Sequence, residues 1–167
     1  MNYVLCGMMG SGKSTVGEQI AALTGRCWCD TDALIAEKYG EISTLFERHG
    51  EEFFRGLENE IVEKIALQDG LVVSTGGGLV LQENNVALLR EKGKLVFLRA
   101  KLETLVERVQ SEYLRPLLRT AEDLREKMAR LLEKRAPIYE RIADYVVDVD
   151  GKTPYAIAKE IISVIGE

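Results

Sequence analysis

The sequence predicts a single α/β domain built on a parallel sheet with helices on both faces. Short apolar runs of strand length alternate along the chain with longer segments in which apolar residues recur at helical spacing. Parallel neighbours need a crossover connection, and such crossovers usually contain a helix. The runs LVV at 71–73 and LVFL at 95–98 are apolar without interruption, which is typical of strands buried on both faces.

Size and charge narrow the class of protein further. A chain of 167 residues is about one domain and can bury roughly 70% of its unfolded surface. Its composition, 46% apolar and 29% charged, is typical of a soluble globular protein, and the net charge of −5 disfavours a nucleic-acid binder. The N-terminal residues lack a signal-peptide pattern, and no apolar stretch reaches the length of a membrane span. We therefore expect a cytoplasmic protein with no nucleic-acid or membrane partner. We also expect a monomer, although size and charge do not determine the oligomeric state.

Strands and helices can be assigned in chain order. The strand candidates are YVLC at 3–6, RCWC at 26–29, LVVST at 71–75, KLVFL at 94–98 and DYVVDV at 144–149. Helical spacing is found in VGEQIAALT at 16–24, among Phe54, Leu57, Ile61 and Ile65, at 86–90, and among Leu102, Leu105, Val106 and Val109. The segment QSEYLRPLLRT at 110–120 is the least regular, and we predict a mobile loop there.

The segment GMMGSGKST at 7–15, here called the phosphate loop, lies between the first strand and the first helix. Gly7, Gly10 and Gly12 permit the backbone turns that aim several N–H groups at one anion, and Lys13 adds a positive charge. Ser14 offers a hydroxyl for Mg²⁺, and the following helix directs its positive end at the phosphates. The strand–loop–helix context favours a nucleotide site over a chance match.

Two aspartates follow the second predicted strand, in CDTDALI at 29–35. Asp30, Thr31 or Asp32 could simply cap the helix that follows. Alternatively, residues 30 and 32 of a still extended chain project to the same side, so both carboxylates can face the edge where α/β proteins bind ligands. One carboxylate could then hold a water of the metal and the other a substrate hydroxyl.

The segment STGGGLV at 74–80 contains three successive glycines, residues 76–78, here called the glycine run. A flexible linker is one interpretation, but linkers have polar surroundings and this segment lies between apolar runs. A glycine run at the end of a buried strand more often lets another group approach the backbone closely.

Three arginines are candidates for anion binding. Arg55 could form a surface ion pair with Glu58 at i+3, or it could bind a ligand. Arg135 needs a buried anion or must reach solvent, because it falls within an apolar stripe on its helix. That stripe consists of Leu124, Met128, Leu131, Leu132, Tyr139 and Ile142. Arg115 precedes Pro116, which favours an extended loop that could close as a lid over phosphates, although it could also be an exposed loop residue without a role.

Taken in order, these segments resemble the shikimate kinase family. The likeness is carried by GMMGSGKST, DTD at 30–32, LFERHGEEFFRGLE at 45–58, TGGG at 75–78, LRPLL at 114–118 and RAPIYERIADYVVD at 135–148. The resemblance implies a P-loop NTPase fold of the nucleoside-monophosphate-kinase type, with a five-stranded parallel sheet flanked by helices. It implies one kinase domain over 1–167, with a substrate-binding helical region at about 31–62 and a lid at about 109–121.

The resemblance also implies a reaction, in which ATP phosphorylates the 3-hydroxyl of shikimate in the pathway to chorismate and the aromatic amino acids. Catalytic roles would fall to Lys13, Asp32 and Arg115. Mg²⁺ would be bound by Ser14 directly and by Asp30 through water. The nucleotide would be bound by Gly10, Ser11, Gly12, Lys13, Ser14, Thr15, Arg108, Arg115 and Pro154, and shikimate by Asp32, Arg55, Gly76, Gly77, Gly78 and Arg135.

Three other functions are considered. A kinase of another small acceptor, such as gluconate or a nucleoside monophosphate, could use the same scaffold. A GTPase switch would be expected to carry Asn-Lys-x-Asp for guanine, and no such tetrapeptide occurs in the sequence. An inactive relative could bind nucleotide as a regulatory module, although every polar residue that we expect catalysis to need is present.

Overall fold

The computed structural model describes residues 1–112 and 121–166, and its strands form a single sheet. The strands are β1 (Asn2–Cys6), β2 (Cys27–Asp30), β3 (Leu71–Ser74), β4 (Gly93–Arg99) and β5 (Tyr145–Asp148). All pairings are parallel, and the strand order is β2-β3-β1-β4-β5. The five predicted strands are confirmed, since each begins and ends within one residue of its predicted bounds. Their predicted parallel pairing is confirmed as well.

Helices connect these strands. They are α1 (Lys13–Thr24), α2 (Thr31–Tyr39), α3 (Ile42–Ala66), α4 (Glu83–Arg90), α5 (Leu102–Glu112), α6 (Ala121–Ile142) and α7 (Pro154–Ile165), with a 3₁₀ turn at Leu79–Leu81. Helix α3 is interrupted at Gly50, whose φ of 83° is readily adopted only by glycine. No helix within residues 1–112 and 121–166 is long and apolar enough to cross a membrane.

Strand β1 lies at the centre of the sheet, and its residues from Tyr3 to Cys6 are completely buried. The chain builds β2 and β3 on one side of β1, and then β4 and β5 on the other. In such sheets a crevice opens beyond the carboxyl end of the strand where the order reverses. The fold therefore places the phosphate loop, which follows β1, in that crevice.

A chain of hydrogen bonds fixes the start of α1 against the sheet. Trp28 Nε1 donates to Ser74 Oγ at 2.9 Å, and Ser74 Oγ donates to the Lys13 carbonyl at 2.7 Å. Gly17 of α1 packs directly on this pair, because a Cβ built there would lie 2.5 Å from both Ser74 Oγ and Trp28 Nε1. Gly17 thus permits the close approach of α1 to β2 and β3.

We expect Gly17→Ala to lower the free energy of unfolding by about 1 to 3 kcal/mol, although alanine is the better helix former, because the added methyl overpacks this contact. Gly56→Ala is the matched control, since Gly56 is also helical but a Cβ there meets nothing within 4 Å. This control should raise stability by about 0.5 to 1 kcal/mol. Urea denaturation measures both changes, and a stabilised Gly17→Ala variant would contradict the packing argument.

Candidate active site

The phosphate loop has the backbone conformation that its glycines predict. Gly7, Gly10 and Gly12 have φ values of 144°, 84° and 91°, in the region that favours glycine. A Cβ at Gly7 would also lie 2.9 Å from the carbonyl oxygen of Leu98. The loop is therefore closed tightly against the sheet before α1 begins at Lys13.

Lys13 folds back over this loop. Its Nζ donates to the carbonyls of Gly7 at 2.7 Å and Met8 at 2.9 Å. Burial disfavours the charged ammonium and lowers the pKa of Lys13 to about 8, and the nearby carboxylates of Asp32 and Asp30 offset this only in part. A phosphate group placed at the loop would supply the counter-charge that Lys13 lacks.

The Asp30 carboxylate accepts hydrogen bonds from two helices, α1 and α2. Its Oδ2 accepts a hydrogen bond from Ser14 Oγ at 2.6 Å, and its Oδ1 accepts one from the Ala33 N–H at 3.1 Å, which caps α2. The cap interpretation is confirmed, and the carboxylate nevertheless faces the phosphate loop. A hydroxyl and a carboxylate oxygen in contact are the hard oxygen donors that Mg²⁺ prefers.

Asp32 reaches the same edge by a different route from the one we predicted. Helix α2 begins at Thr31, so Asp32 lies in its first turn and the extended geometry that we expected for residues 30 and 32 is wrong. Its side chain lies against the glycine run, since a Cβ at Gly76 would be 2.5 Å from Asp32 Oδ1. Burial and the charge of Asp30 raise the pKa of Asp32, while Lys13 and Arg55 oppose the rise.

Each glycine of the run faces one charged side chain. A Cβ at Gly76 would contact Asp32, one at Gly77 would lie 2.9 Å from Arg135 Nη1, and one at Gly78 would clash with the guanidinium of Arg55. The run is not a flexible linker, because Gly76 is buried and its N–H donates to the buried Thr31 Oγ1 at 2.9 Å. Missing side chains at three positions thus make room for one acid and two arginines.

Arg55 is held by acidic neighbours on α3. Its Nη1 donates to Glu58 Oε1 at 2.6 Å and its Nη2 to Glu51 Oε1 at 3.3 Å. The pair with Glu58 is not a surface ion pair, because Glu58 is only 1% exposed. Burial raises the pKa of Glu58, and the hydrogen bond from Arg55 opposes that rise. Among the described residues the buried Glu58 Oε2 has no hydrogen-bond partner.

Arg135 and Arg108 come from the two helices on the other side of the crevice. Arg135 lies on the buried face of α6, as its apolar stripe predicted, and points at Gly77. Arg108 of α5 lies at the phosphate loop, where its Nη1 donates to the Gly10 carbonyl at 3.3 Å.

Pro154 occupies the exposed first turn of α7. Nearby, Asp150 accepts from the Thr104 hydroxyl at 2.6 Å, so the loop before α7 adjoins the start of α5.

Part of this set lines a cavity of about 300 Å³, whereas Gly78, Arg55, Arg108 and Pro154 are not among its lining residues. Its lining includes the phosphate loop from Met9 to Thr15 except Ser11, together with Asp30, Asp32, Thr75, Gly76, Gly77 and Arg135. A larger groove of about 700 Å³ lies along residues 127–134 of α6, but none of the predicted site residues line it. We therefore place the candidate active site in the smaller cavity, where phosphate-binding backbone, acidic oxygens and cationic side chains converge.

Comparison of the chain with known proteins identifies its family. A family model described as shikimate kinase matches residues 9–166. The chain belongs to the shikimate kinase family. The shikimate kinase of Caldanaerobacter subterraneus subsp. tengcongensis is 41% identical over 96% of this chain and 94% of that relative. The shikimate kinase of a Sulfurihydrogenibium species is 43% identical over 98% of this chain and 97% of that relative.

A solved structure agrees. The shikimate kinase from Acinetobacter baumannii in complex with shikimate has a TM-score of 0.89 and 34% identity, and the match covers 98% of this chain and 92% of that one. The resemblance and the P-loop kinase fold, with its five-stranded parallel sheet, are thereby confirmed. Of the predicted site residues, Arg115 lies outside the described residues, as does most of the predicted lid at 109–121.

Two residues of the site were missed in the sequence, although a signal was present for both. Glu58 lies on the apolar stripe of α3, four residues after Phe54, and a carboxylate there needs a buried partner by the same argument as Arg135. Tyr139 follows Arg135 by four residues, so the two side chains share one helix face, and its hydroxyl donates to the Gly77 carbonyl at 2.6 Å. Glu58 was considered only as a surface partner of Arg55, and Tyr139 only as part of the apolar stripe.

The pKa of Lys13 predicts a pH dependence of stability. Between about 8 and the ordinary value of 10.5, the unfolded chain binds a proton at Lys13 that the folded protein has lost. Stability should therefore rise with pH across this window, by about 1 to 3 kcal/mol relative to a Lys13→Met variant.

Urea denaturation followed by the single tryptophan, Trp28, measures this difference at each pH. Other titrating groups cancel in the comparison with Lys13→Met. A difference that stays flat from pH 8 to 10.5 would show that Lys13 keeps its ordinary pKa in the folded protein.

Proposed function

We propose that this protein transfers the terminal phosphoryl group of ATP to the 3-hydroxyl of shikimate. The products are shikimate 3-phosphate and ADP, on the route to chorismate and the aromatic amino acids. The observation that carries the proposal is the pairing of three successive glycines with Asp32, Arg55 and Arg135 beside the phosphate loop. Membership of the shikimate kinase family and the likeness to a shikimate-bound relative support it.

The charge pattern around the glycine run suits shikimate, which has one carboxylate and three hydroxyls on a small ring. Arg55 and Arg135 approach the run from α3 and α6, so together they can bind a carboxylate between them. Asp32 lies at the other end of the run and can accept hydrogen bonds from hydroxyls. Gly76, Gly77 and Gly78 leave space for the ring and present backbone groups to it.

The nucleotide occupies the phosphate loop in this proposal. Backbone N–H groups from Gly10 to Thr15 and the Lys13 ammonium contact the phosphates. Arg108 of α5 lies beside Gly10. Together with Pro154, at the start of α7, it forms the adenine side of the site.

Ser14 and Asp30 are the residues that would hold Mg²⁺, Ser14 directly and Asp30 through water. Their hydrogen-bonded oxygens match the donor type that this ion prefers. Within the described residues there is no group of three or more His, Cys, Asp or Glu that could hold a metal, which suits an ion bound jointly by the protein and the phosphates. When bound, Mg²⁺ neutralises charge on the phosphate oxygens.

Catalysis rests on positioning and charge stabilisation, because phosphoryl transfer passes through a loose transition state. Lys13 stabilises charge on the transferred group, and Arg115 joins it from the lid. Asp32 orients the 3-hydroxyl and accepts its proton. The raised pKa of Asp32 supports that second role, since a carboxylate with a higher pKa is a stronger base.

The proposal includes the organisation of the chain. One kinase domain spans 1–167, with a substrate-binding region at about 31–62, formed by α2 and most of α3, and a lid at about 109–121. It acts as a cytoplasmic monomer on small molecules, without a nucleic-acid or membrane partner.

ADP release with Mg-ATP tests the function directly. The rate should rise strongly with shikimate and stay near the background rate with gluconate or with nucleoside monophosphates. Stimulation by gluconate or a nucleoside monophosphate alone would assign the site to another acceptor. Binding of ATP without stimulation by any acceptor would favour a nucleotide-binding module.

The arginines have a separable prediction. Arg55→Ala and Arg135→Ala should each raise the Kd for shikimate by about 30-fold to 1000-fold, because each removes a charge-assisted contact worth about 2 to 4 kcal/mol. The Kd for ATP should change less than the Kd for shikimate, because each arginine lies against a glycine of the run, although Arg135 also lines the cavity at the phosphate loop. Arg141→Ala is the matched control, since Arg141 is exposed near the end of α6. Isothermal titration calorimetry measures both constants, and equal losses for ATP and shikimate would contradict these roles.

A further inference from the structure

A buried tyrosine of α6 holds the backbone of the glycine run. Tyr139 is 0% exposed, and its hydroxyl donates to the Gly77 carbonyl at 2.6 Å across 62 residues of sequence. Its ring packs on Phe97 of β4, with centroids 5.1 Å apart and an interplanar angle of 39°. Burial raises the pKa of Tyr139 to about 12, so the hydroxyl stays protonated and remains a donor near neutral pH.

The same glycine also faces Arg135. A Cβ at Gly77 would lie 2.9 Å from Arg135 Nη1 and 3.7 Å from the Tyr139 hydroxyl. Because residues four apart share one face of a helix, α6 presents both side chains to the same point of the run. The position of α6 therefore determines both the direction of the Gly77 carbonyl and the distance from the run to Arg135.

Other elements hold the neighbours of Gly77. Thr31 of α2 accepts from the Gly76 N–H at 2.9 Å, and Asn85 of α4 donates to the Leu79 carbonyl at 3.0 Å. Among residues 1–112 and 121–166, the hydrogen bond from Tyr139 is the one that joins this backbone to α6. Without it, the middle of the run would keep its links to α2 and α4 but lose its link to the helix that carries Arg135.

We propose that Tyr139 is a positioning residue for the acceptor, which holds the Gly77 carbonyl and the Arg135 guanidinium at the separation that a bound carboxylate needs. The inference rests on the proposed function, since it concerns the same acceptor site. Tyr139 acts through the run and through Arg135. It therefore adjusts affinity for the acceptor and leaves the nucleotide end of the site unaffected.

Tyr139→Phe tests the role while keeping the ring on Phe97. We expect the Kd for shikimate, measured by calorimetry at 25 °C, to rise about fivefold to tenfold, because the half-buried Gly77 carbonyl loses its donor. The KM for ATP should stay within about twofold, since the phosphate loop keeps its own contacts. Tyr145→Phe is the matched control, because Tyr145 is a half-buried tyrosine on the edge strand β5 and belongs to none of the proposed binding regions.

A double-mutant cycle with Arg135→Ala separates positioning from general stability. If Tyr139 acts through Arg135, Tyr139→Phe should weaken shikimate binding much less in the Arg135→Ala background than in the wild type. Equal losses in both backgrounds would overturn the inference, as would an unchanged Kd with a lowered melting temperature. A wild type that neither binds nor phosphorylates shikimate would instead refute the proposed function, so the two failures are distinguishable.

Discussion

The site depends on one steric constraint, which is that residues 76–78 have no side chains. A single methyl at any of these positions would collide with a charged group, Asp32, Arg135 or Arg55. These groups come from the consecutive helices α2 and α3 and from α6, which follows much later in the chain, so the run is where three helices can bring charge together. The three glycines form one surface, with the acidic Asp32 at one end and the cationic Arg135 and Arg55 towards the other.

The charges around these glycines are costly to bury, and the structure offsets only part of that cost because the charges are incompletely paired. Arg55 bonds the buried Glu58, yet one oxygen of Glu58 has no partner among the described residues. Lys13 bonds only neutral carbonyls, and its pKa falls to about 8. Burial raises the pKa of Asp32. Groups held in this way gain most when an anion or a hydroxyl arrives, which is typical of binding and catalytic sites.

Sequence patterns predicted the sheet, the phosphate loop and the close approach at the glycine run. They were less reliable for the local geometry. Asp32 faces the site from the first turn of a helix and not from an extended segment. The pair between Arg55 and Glu58 is buried, although spacing alone suggested a surface contact. The hydrogen bond from Tyr139 to the run was not predicted, because a tyrosine on an apolar stripe is usually explained by packing alone, although its spacing from Arg135 was a signal.

The sequence by itself determined the alternation of apolar strands with helices, the glycines with special conformations and the residue types at each motif. These features depend on local sterics and on apolar periodicity. Family membership follows from the same motifs in order. Only the tertiary structure decided which charged side chain faces which glycine, which ion pair is buried, and that α6 bonds the run through Tyr139. The contacts of the glycine run join residues 23 to 62 positions apart, and the burial of the Arg55–Glu58 pair depends on how α3 packs, so local spacing carries no information about either.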